Sequence, residues 1–203
     1  MPRQRLTPDA RRAQLLDVAA ALFAAQPYED VTMEEIAERA GVSRALLYRH
    51  FPGKRELFAA LYTQVAGELL ARTRVDPAET FVEQLTEGLD AHIAYFAANR
   101  HTVLAANRAL AGDRLIQTII TDELDALREK LLGVLPVTGT RHRAAVSGVL
   151  KSWLVFVQVL CLDWLVEETC TPEELRDVCI GAVVGGLRPL LDEDPAPEWG
   201  AGC

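Results

Sequence analysis

The chain has 203 residues, 50% of them apolar, with 13 glycines and 10 prolines, which excludes a disordered chain and suits one large or two small globular domains. Its net charge of −8 argues against a nucleic-acid-binding protein only if the charge is evenly spread. It is not: residues 1–60 hold nine Lys or Arg and eight Asp or Glu, whereas residues 61–203 hold twelve and 21.

The cysteines and histidines form no metal-binding or catalytic pattern. The cysteines lack C-x-x-C spacing and a nearby His cluster, which predicts free thiols in a reducing cytoplasm, no metal site and no cofactor. They are Cys161, Cys170, Cys179 and Cys203. His92, His101 and His142 have no spacing to a nucleophile or carboxylate that builds a triad or a zinc site. We therefore do not expect an enzyme.

No segment predicts export or membrane insertion. Residues 1–12 lack the apolar run of a signal peptide. The one long apolar stretch, Val149–Val166, is interrupted by Lys151, Gln158 and Asp163. It predicts a buried helix rather than a membrane span, in a cytoplasmic protein.

In chain order, the first strong pattern is a helix followed by two shorter helices around a tight turn. Thr7 caps the first helix, and Pro8 occupies its first position. Thr32 can cap the next one, with Glu35 three residues later completing a capping box. The turn after it has two expected features: Gly41 in a left-handed conformation and Val42 as a buried plug. Ser43 then caps a helix that ends near residue 51, which completes a three-helix head containing a helix-turn-helix.

The helix after Ser43 has two different sides. At about 100° per residue, one side is formed by Leu46, Leu47, His50 and Phe51. The opposite side is formed by Arg44, Ala45, Tyr48 and Arg49. The second side suits the major groove of DNA, because Arg can bond guanine through two N–H groups, Ala can contact a thymine methyl, and Tyr can reach a phosphate.

This segment resembles the DNA-binding region of TetR-type transcriptional regulators, over roughly residues 8–71. The matching positions are Thr32, Ile36-Ala37, Ala40-Gly41-Val42-Ser43, Leu47-Tyr48, His50-Phe51, Lys54 and Leu57. The resemblance implies that His50 contacts phosphate. The predicted DNA-binding residues comprise phosphate contacts from Thr32, Tyr48, His50 and Lys54, base contacts from Arg44, Ala45 and Tyr48, and in addition Ser43 and Arg49. Arg3 and Arg5, in the basic arm of residues 1–6, either touch phosphates or the minor groove or form only a solvated tail.

The rest of the chain predicts helices only, so the fold is expected to be all-α with about nine helices. Beyond the head they are expected at Lys54–Thr73, Thr80–Asn99, Thr102–Leu110, Arg114–Leu135, Thr140–Glu168 and 172–190. An acidic, Pro-rich tail follows at residues 192–203. We divide the chain into a helix-turn-helix DNA-binding domain, residues 1–71, and a larger ligand-binding and dimerisation domain, residues 72–203.

The last two helices are too apolar for a solvated surface. Glycines inside the final helix each cost about 1 kcal/mol relative to Ala, which suggests the close approach of another backbone. The predicted dimer interface consists of Trp153, Val157, Leu160, Trp164, Val178, Gly181, Ala182, Gly185 and Gly186. The alternative is that these helices are the chain's own core. A symmetric dimer would form a four-helix bundle and present two heads roughly 34 Å apart to a palindromic operator.

Aromatic and polar residues in the second domain are candidates for an effector pocket. They are His92, Tyr95, Phe96, Asn99, Arg108, Trp153, Phe156, Gln158 and Trp164. Aromatic walls with a few polar groups are typical of small-ligand cavities, although each such residue is more often core or surface. The apolar bias favours a hydrophobic effector.

These features predict a DNA-binding transcriptional regulator, most simply a homodimeric repressor of double-stranded operator DNA. A small hydrophobic effector would release it by shifting the Lys54–Thr73 helix. One alternative is a helix-turn-helix architectural or protein-interaction factor without a small-molecule ligand. Another is a small-molecule-binding or enzymatic helical domain with a vestigial head.

Overall fold

A computed structural model describes residues 6–72, 79–137 and 139–191, and within them the chain is all-α, as predicted. The helices are α1 Pro8–Ala25, α2 Met33–Arg39, α3 Arg44–His50, α4 Lys54–Arg72, α5 Phe81–Ala98, α6 Arg100–Leu104, α7 Arg114–Val134, α8 Thr140–Glu167 and α9 Pro172–Leu191. The basic arm at residues 1–5, the predicted end of α4 at Thr73, and the tail from residue 192 to Cys203 lie outside the described residues.

The segment after α5 differs from the single helix predicted at Thr102–Leu110. The α-helix ends at Leu104 and continues as one π-helical turn, Ala105–Ala109, in which Leu110 N–H donates to Ala105 O at 2.8 Å. The side chain of Gln117 donates to Ala106 O and Leu110 O, at 3.2 and 3.3 Å. These long-range partners stabilise a widened turn that local helix periodicity does not reveal.

The described residues divide into two compact units. The first unit contains the chain up to Ala66 together with Asn99–Ile119, and the second contains Gly67–Ala98 with the chain from Ile120 onward. The domain boundary predicted at residues 71 and 72 stays a prediction; in the division by compactness, α6 and the first turns of α7 group with the head. A sequence boundary assumes that a domain is continuous, whereas α6 packs against α1.

The core of the first unit is an aromatic cluster between α1 and α4. The ring of Phe23 lies 5.0 Å from that of Phe58 and 5.7 Å from that of Tyr28. Phe58 also contacts Tyr62, with ring centroids 6.2 Å apart. Leu47 of α3 and Ile36 of α2 are fully buried, so both short helices are anchored by one apolar side each.

In the second unit, α5, α8 and α9 pack around an apolar core. Trp153 of α8 is buried and donates its indole N–H to Cys179 O of α9 at 2.7 Å. Burial raises the pKa of the Cys161 thiol to about 12 and that of Cys179 to about 11. Both thiols are protonated at neutral pH and therefore weakly reactive. Within the described residues, no group of His, Cys, Asp or Glu is arranged to hold a metal ion.

One helix in the described part of the chain, α8, is long and apolar enough to cross a membrane by length and composition. A core helix of a soluble protein meets the same criterion, and α8 packs against α9 and α5. Only 33% of its most apolar window is buried, so this chain leaves much of the helix uncovered.

Candidate nucleic-acid interface

The helix-turn-helix forms through local capping, as the sequence predicts. Thr32 Oγ1 accepts from the N–H of Glu35 at 3.1 Å, and Ser43 Oγ accepts from the N–H of Leu46 at 3.2 Å. Gly41 has a φ of 64°, a left-handed conformation that favours glycine. Val42 is half-buried rather than the fully buried plug that was expected.

The predicted capping box is only half formed. The Glu35 carboxylate does not turn back to Thr32; it accepts from Gln26 Nε2 at 2.9 Å and pairs with Arg39 at 3.4 Å. Gln26 ends α1, so Glu35 ties α2 to the end of the preceding helix. The sequence rule fails here because a partner nine residues away competes for the same carboxylate.

The two sides of α3 are arranged as predicted. Leu47 and the following Phe51 are buried, and Leu46 and His50 are half-buried. The exposed side consists of Arg44, Ala45, Tyr48 and Arg49. Two cations, a methyl group and a phenol thus face outward on one short helix. This surface offers hydrogen-bond donors for base edges and positive charge for phosphates.

Two cations next to this surface have specific partners. Arg44, at the start of α3, pairs with Glu34 in the first turn of α2 at 3.2 Å, and both side chains are largely exposed. Arg12 of α1 lies over the ring of Phe51, 5.0 Å from its centroid. The sequence places Arg12 among the basic residues near the motif, but nothing in its local pattern indicates a contact with the end of α3. Arg12 is thus a candidate phosphate contact that the residue-by-residue reading missed.

Lys54 has a different environment from the phosphate contact predicted for it. Its Nζ donates to the backbone carbonyls of Tyr28, Glu29 and Val31, at 2.8, 3.3 and 2.9 Å. The same Nζ lies 4.3 Å from the centroid of the Tyr28 ring. Lys54 therefore braces the loop that leads into the Thr32 cap, and in this arrangement its charge is directed at the protein's own backbone.

The residues predicted for an effector pocket are dispersed. Asn99 and Arg108 belong to the first unit, and the other seven to the second. Trp164 donates its indole N–H to Cys170 O at 2.9 Å, while Trp153 and Phe156 line an open groove with Gly148, Ser152 and Ala182. Tyr95 and Gln158 are half-buried.

His92 and Phe96 form the most distinctive pair among those predicted pocket residues. Their rings lie 4.0 Å apart on α5, and Phe96 is buried. His92 Nε2 is buried and has no hydrogen-bond partner, and burial lowers the pKa of His92 to about 4. Glu123 of α7 is a second desolvated group, because burial raises its pKa to about 7. The sequence pattern around His92 and Glu123 did not predict the burial of either side chain.

The predicted dimer residues also divide between core and surface. Trp153 and Val157 are buried inside this chain, and Trp153 bonds α9, so their place in a dimer interface stays a prediction. Leu160 and Trp164 are half-buried. The predicted interface residues that are exposed are Val178, Gly181, Ala182, Gly185 and Gly186 of α9. The large exposed apolar side chains of α8 are Val155, Phe156, Val159 and Val166. Of these, only Phe156 was singled out from the sequence, as a pocket candidate.

Sequence comparisons identify the head. Residues 15–61 match the family of bacterial regulatory proteins called tetR. The chain is 43% identical over 70 residues to the HTH-type transcriptional activator FasR of Mycolicibacterium smegmatis, covering 34% of this chain and 32% of that protein. It is 30% identical over 129 residues to the nucleoid occlusion factor SlmA of Marinomonas sp., covering 62% of this chain and 66% of that protein. The match thus spans about a third of the length of FasR.

Solved structures extend the likeness to the fold of the whole chain. A tetR-family transcriptional regulator from Streptomyces coelicolor superposes with a TM-score of 0.83 at 24% identity, covering 93% of this chain and 85% of that one. FadR of Bacillus subtilis, solved in complex with stearoyl-CoA, gives 0.64 at 18% identity, covering 86% and 98%. The family consists of regulatory proteins, which confirms the expectation that the chain is not an enzyme. Residues 15–61 thus form a DNA-binding head of the TetR family, and the chain has the fold of TetR-family transcriptional regulators.

Proposed function

We propose that the protein is a cytoplasmic repressor that binds a palindromic operator as a homodimer and leaves it when a hydrophobic effector binds. The observation that carries the DNA-reading part is the outward side of α3, with Arg44, Ala45, Tyr48 and Arg49 exposed. Arg44 and Ala45 read base edges, and Tyr48 contacts a base or a phosphate. Thr32, Ser43, Arg49 and His50 hold the backbone of DNA, joined by Arg12. Lys54 acts indirectly, through the loop that it braces.

Dimerisation uses the uncovered apolar face of α8 and α9. Val159 and Val178 are 53% and 54% exposed, so large aliphatic side chains meet water on both helices of this chain. A Cβ added at Gly181 or Gly185 would meet nothing within 4 Å, which leaves room for a partner backbone. A second copy of the face would bury these side chains in a four-helix bundle.

Sedimentation of a Val159→Asp variant tests this interface. We expect the variant to sediment as a monomer, because a carboxylate in an apolar dimer core lacks a partner. The matched control is Leu6→Asp, at an exposed apolar residue outside both helices (46% exposed). A Val159→Asp variant that remains dimeric, or a control that dissociates equally, contradicts the assignment.

The effector class is proposed from apolar composition and one structural relative. FadR of Bacillus subtilis was solved with stearoyl-CoA, which is a long-chain acyl thioester. We propose an effector of comparable apolar character, bound in the second unit. Its action requires a higher affinity for the DNA-incompetent state, because an effector of equal affinity for both states shifts nothing.

One experiment tests the regulator as a whole. Wild-type protein is used to select its site from random DNA, and a library of acyl thioesters, lipids, drugs and aromatic metabolites is then screened for release from that site. A palindromic site and effector-dependent release support the proposal. If the selection yields no preferred sequence, the protein does not read DNA as proposed. If it yields a preferred sequence but no compound in a broad library releases the protein from it, the repressor mechanism is contradicted.

The similarity to SlmA supports one second candidate, an architectural or protein-interaction factor. The 129-residue match extends well beyond the helix-turn-helix, whereas the 70-residue match to FasR is much shorter. Such a factor would occupy many sites along the chromosome and ignore small molecules. Genome-wide mapping of bound sites distinguishes the two functions, since a repressor occupies a few promoters whereas an architectural factor occupies many sites throughout the chromosome.

A further inference from the structure

Asp113 lies far along the chain from the helix-turn-helix but in the same compact unit. It caps α7, because its Oδ1 accepts from the N–H groups of Leu115 and Ile116 at 2.9 and 3.3 Å. The same carboxylate accepts two N–H groups of Arg55, with Oδ2 bonded to Nε and Oδ1 bonded to Nη2 at 3.0 Å. Arg55 is in the first turn of α4. The two helix starts are therefore joined by a bidentate, charge-assisted contact.

The electrostatics of this contact agree from both sides. Hydrogen bonding to Arg55 is the main cause that lowers the pKa of Asp113, and hydrogen bonding to Asp113 is the main cause that raises the pKa of Arg55. The Asp113 side chain is 15% exposed and that of Arg55 is 45% exposed. Both groups are thus charged at neutral pH, and the carboxylate is the better shielded of the two.

The contact continues toward the DNA-binding surface through the next residue. Lys54 precedes Arg55, and its Nζ holds the carbonyls of Tyr28 and Val31 at 2.8 and 2.9 Å. Val31 directly precedes Thr32, the cap of α2. After burial, the Asp113 carboxylate is the second cause that raises the pKa of Tyr28, so its field reaches this loop. An unbroken series of contacts therefore runs from the start of α7 to the start of the helix-turn-helix.

The segment that carries Asp113 is itself held in place. Gln117 bonds the carbonyls of the π-helical turn before Asp113, and α6 packs on α1. We infer that Asp113 is a positioning residue for DNA binding, which through Arg55 and Lys54 fixes the first turn of α4 and the loop into α2. This inference rests on the proposed operator binding.

The test is Asp113→Asn, measured as operator affinity by fluorescence anisotropy. Asn is as good a helix cap as Asp, so α7 keeps its start while the charged contact is lost. Removing a negative charge should by itself strengthen DNA binding. A positioning role for Asp113 predicts weaker DNA binding instead. We expect operator affinity to fall by about fivefold, the loss typical of one partly exposed charge-assisted contact.

A matched control separates charge from position. Asp90→Asn removes the same charge from the pair Asp90–Arg176 in the second unit, where the two side chains are 3.1 Å apart. We expect its operator affinity to stay equal or rise. In an Arg55→Gln background, Asp113→Asn should cause no further loss of operator affinity, because the partner is already absent.

Three outcomes contradict the inference. Asp113→Asn could bind the operator as tightly as Asp90→Asn does, or its loss of affinity could persist in the Arg55→Gln background. The third is a loss of affinity that is explained by unfolding of the variant at the assay temperature. Circular dichroism at that temperature checks the last. Failure of the proposed function is distinct, because wild-type protein would then select no operator at all.

Discussion

Replacement of Lys54 by Met distinguishes a brace within the protein from a phosphate contact. Met keeps most of the apolar stem of Lys54 but removes its charge and its three donated hydrogen bonds. The carbonyls of Tyr28 and Val31 then lose a partner in a half-buried setting. The cation over the Tyr28 ring is lost as well. We therefore expect a less stable first unit, with the loop before α2 released.

The size of the effect follows from these contacts. We assign roughly 1 kcal/mol to each of the two shorter bonds and about 1 kcal/mol to the cation over the ring, and nothing to the longer, exposed bond. The free energy of unfolding should fall by about 3 kcal/mol in urea denaturation followed by circular dichroism. Lys54→Arg should retain much of the stability, because it keeps a donor and a charge. Lys151→Met, on the exposed side of α8, is the control for charge and should change little.

DNA binding must be measured on the same variants below their unfolding transitions. Loss of stability together with weaker operator binding supports the brace. If Lys54→Met unfolds like wild type and yet binds DNA more weakly with a smaller salt dependence, the side chain contacts phosphate and the reasoning above is refuted.

Three further results are expected. Glu34→Gln should reduce the preference for operator over random DNA, measured as the ratio of the two affinities, because Arg44 loses the carboxylate that orients it. Glu38→Gln changes the same charge on α2 and should leave that ratio unchanged. Equal ratios in the two variants would contradict the role of the Arg44–Glu34 pair. Because the pKa of His92 is lowered to about 4, the stability contributed by its neutral ring is complete above about pH 6.5 and is lost as the pH falls toward 4. His92→Phe does not suffer this loss, so between pH 6.5 and 4 its free energy of unfolding should rise relative to wild type by at most about 3 kcal/mol. Urea unfolding at several pH values measures the difference. Gly185→Ala should stabilise the monomer's α9 by about 1 kcal/mol but weaken dimerisation, seen in sedimentation as dissociation at a higher protein concentration than for wild type.

The head could be predicted because its signals are local. Thr7, Thr32 and Ser43 each accept the hydrogen bond that a capping residue accepts within its own turn. Gly41 has the left-handed backbone that the end of α2 requires. Burial along α3 follows directly from its helical period. Each of these features depends on residues no more than four positions apart, which is the range that sequence patterns describe.

The remaining features depend on distant partners and were therefore missed. Glu35 bonds Gln26, and Lys54 bonds the loop from Tyr28 to Val31, across spacings that no local rule contains. The apolar circumference of α8 gave no indication of which side faces α9, so Trp153 was assigned to both the dimer interface and the effector pocket, whereas it bonds Cys179 O inside the chain. Periodicity identifies a helix with two apolar sides but does not assign each side to a partner.

The discontinuous composition of the first unit has a consequence for how this protein can be made and recombined. Residues 99–119 complete a unit whose other part lies before residue 67, so the unit cannot close during synthesis until that segment has left the ribosome. A fragment that stops at residue 71 would expose the surface of α1 that α6 covers. Chimaeric regulators made by exchanging heads at that position would therefore combine the head of one protein with α6 and the start of α7 from another. Exchanges that carry residues 99–119 along with the head keep the unit intact.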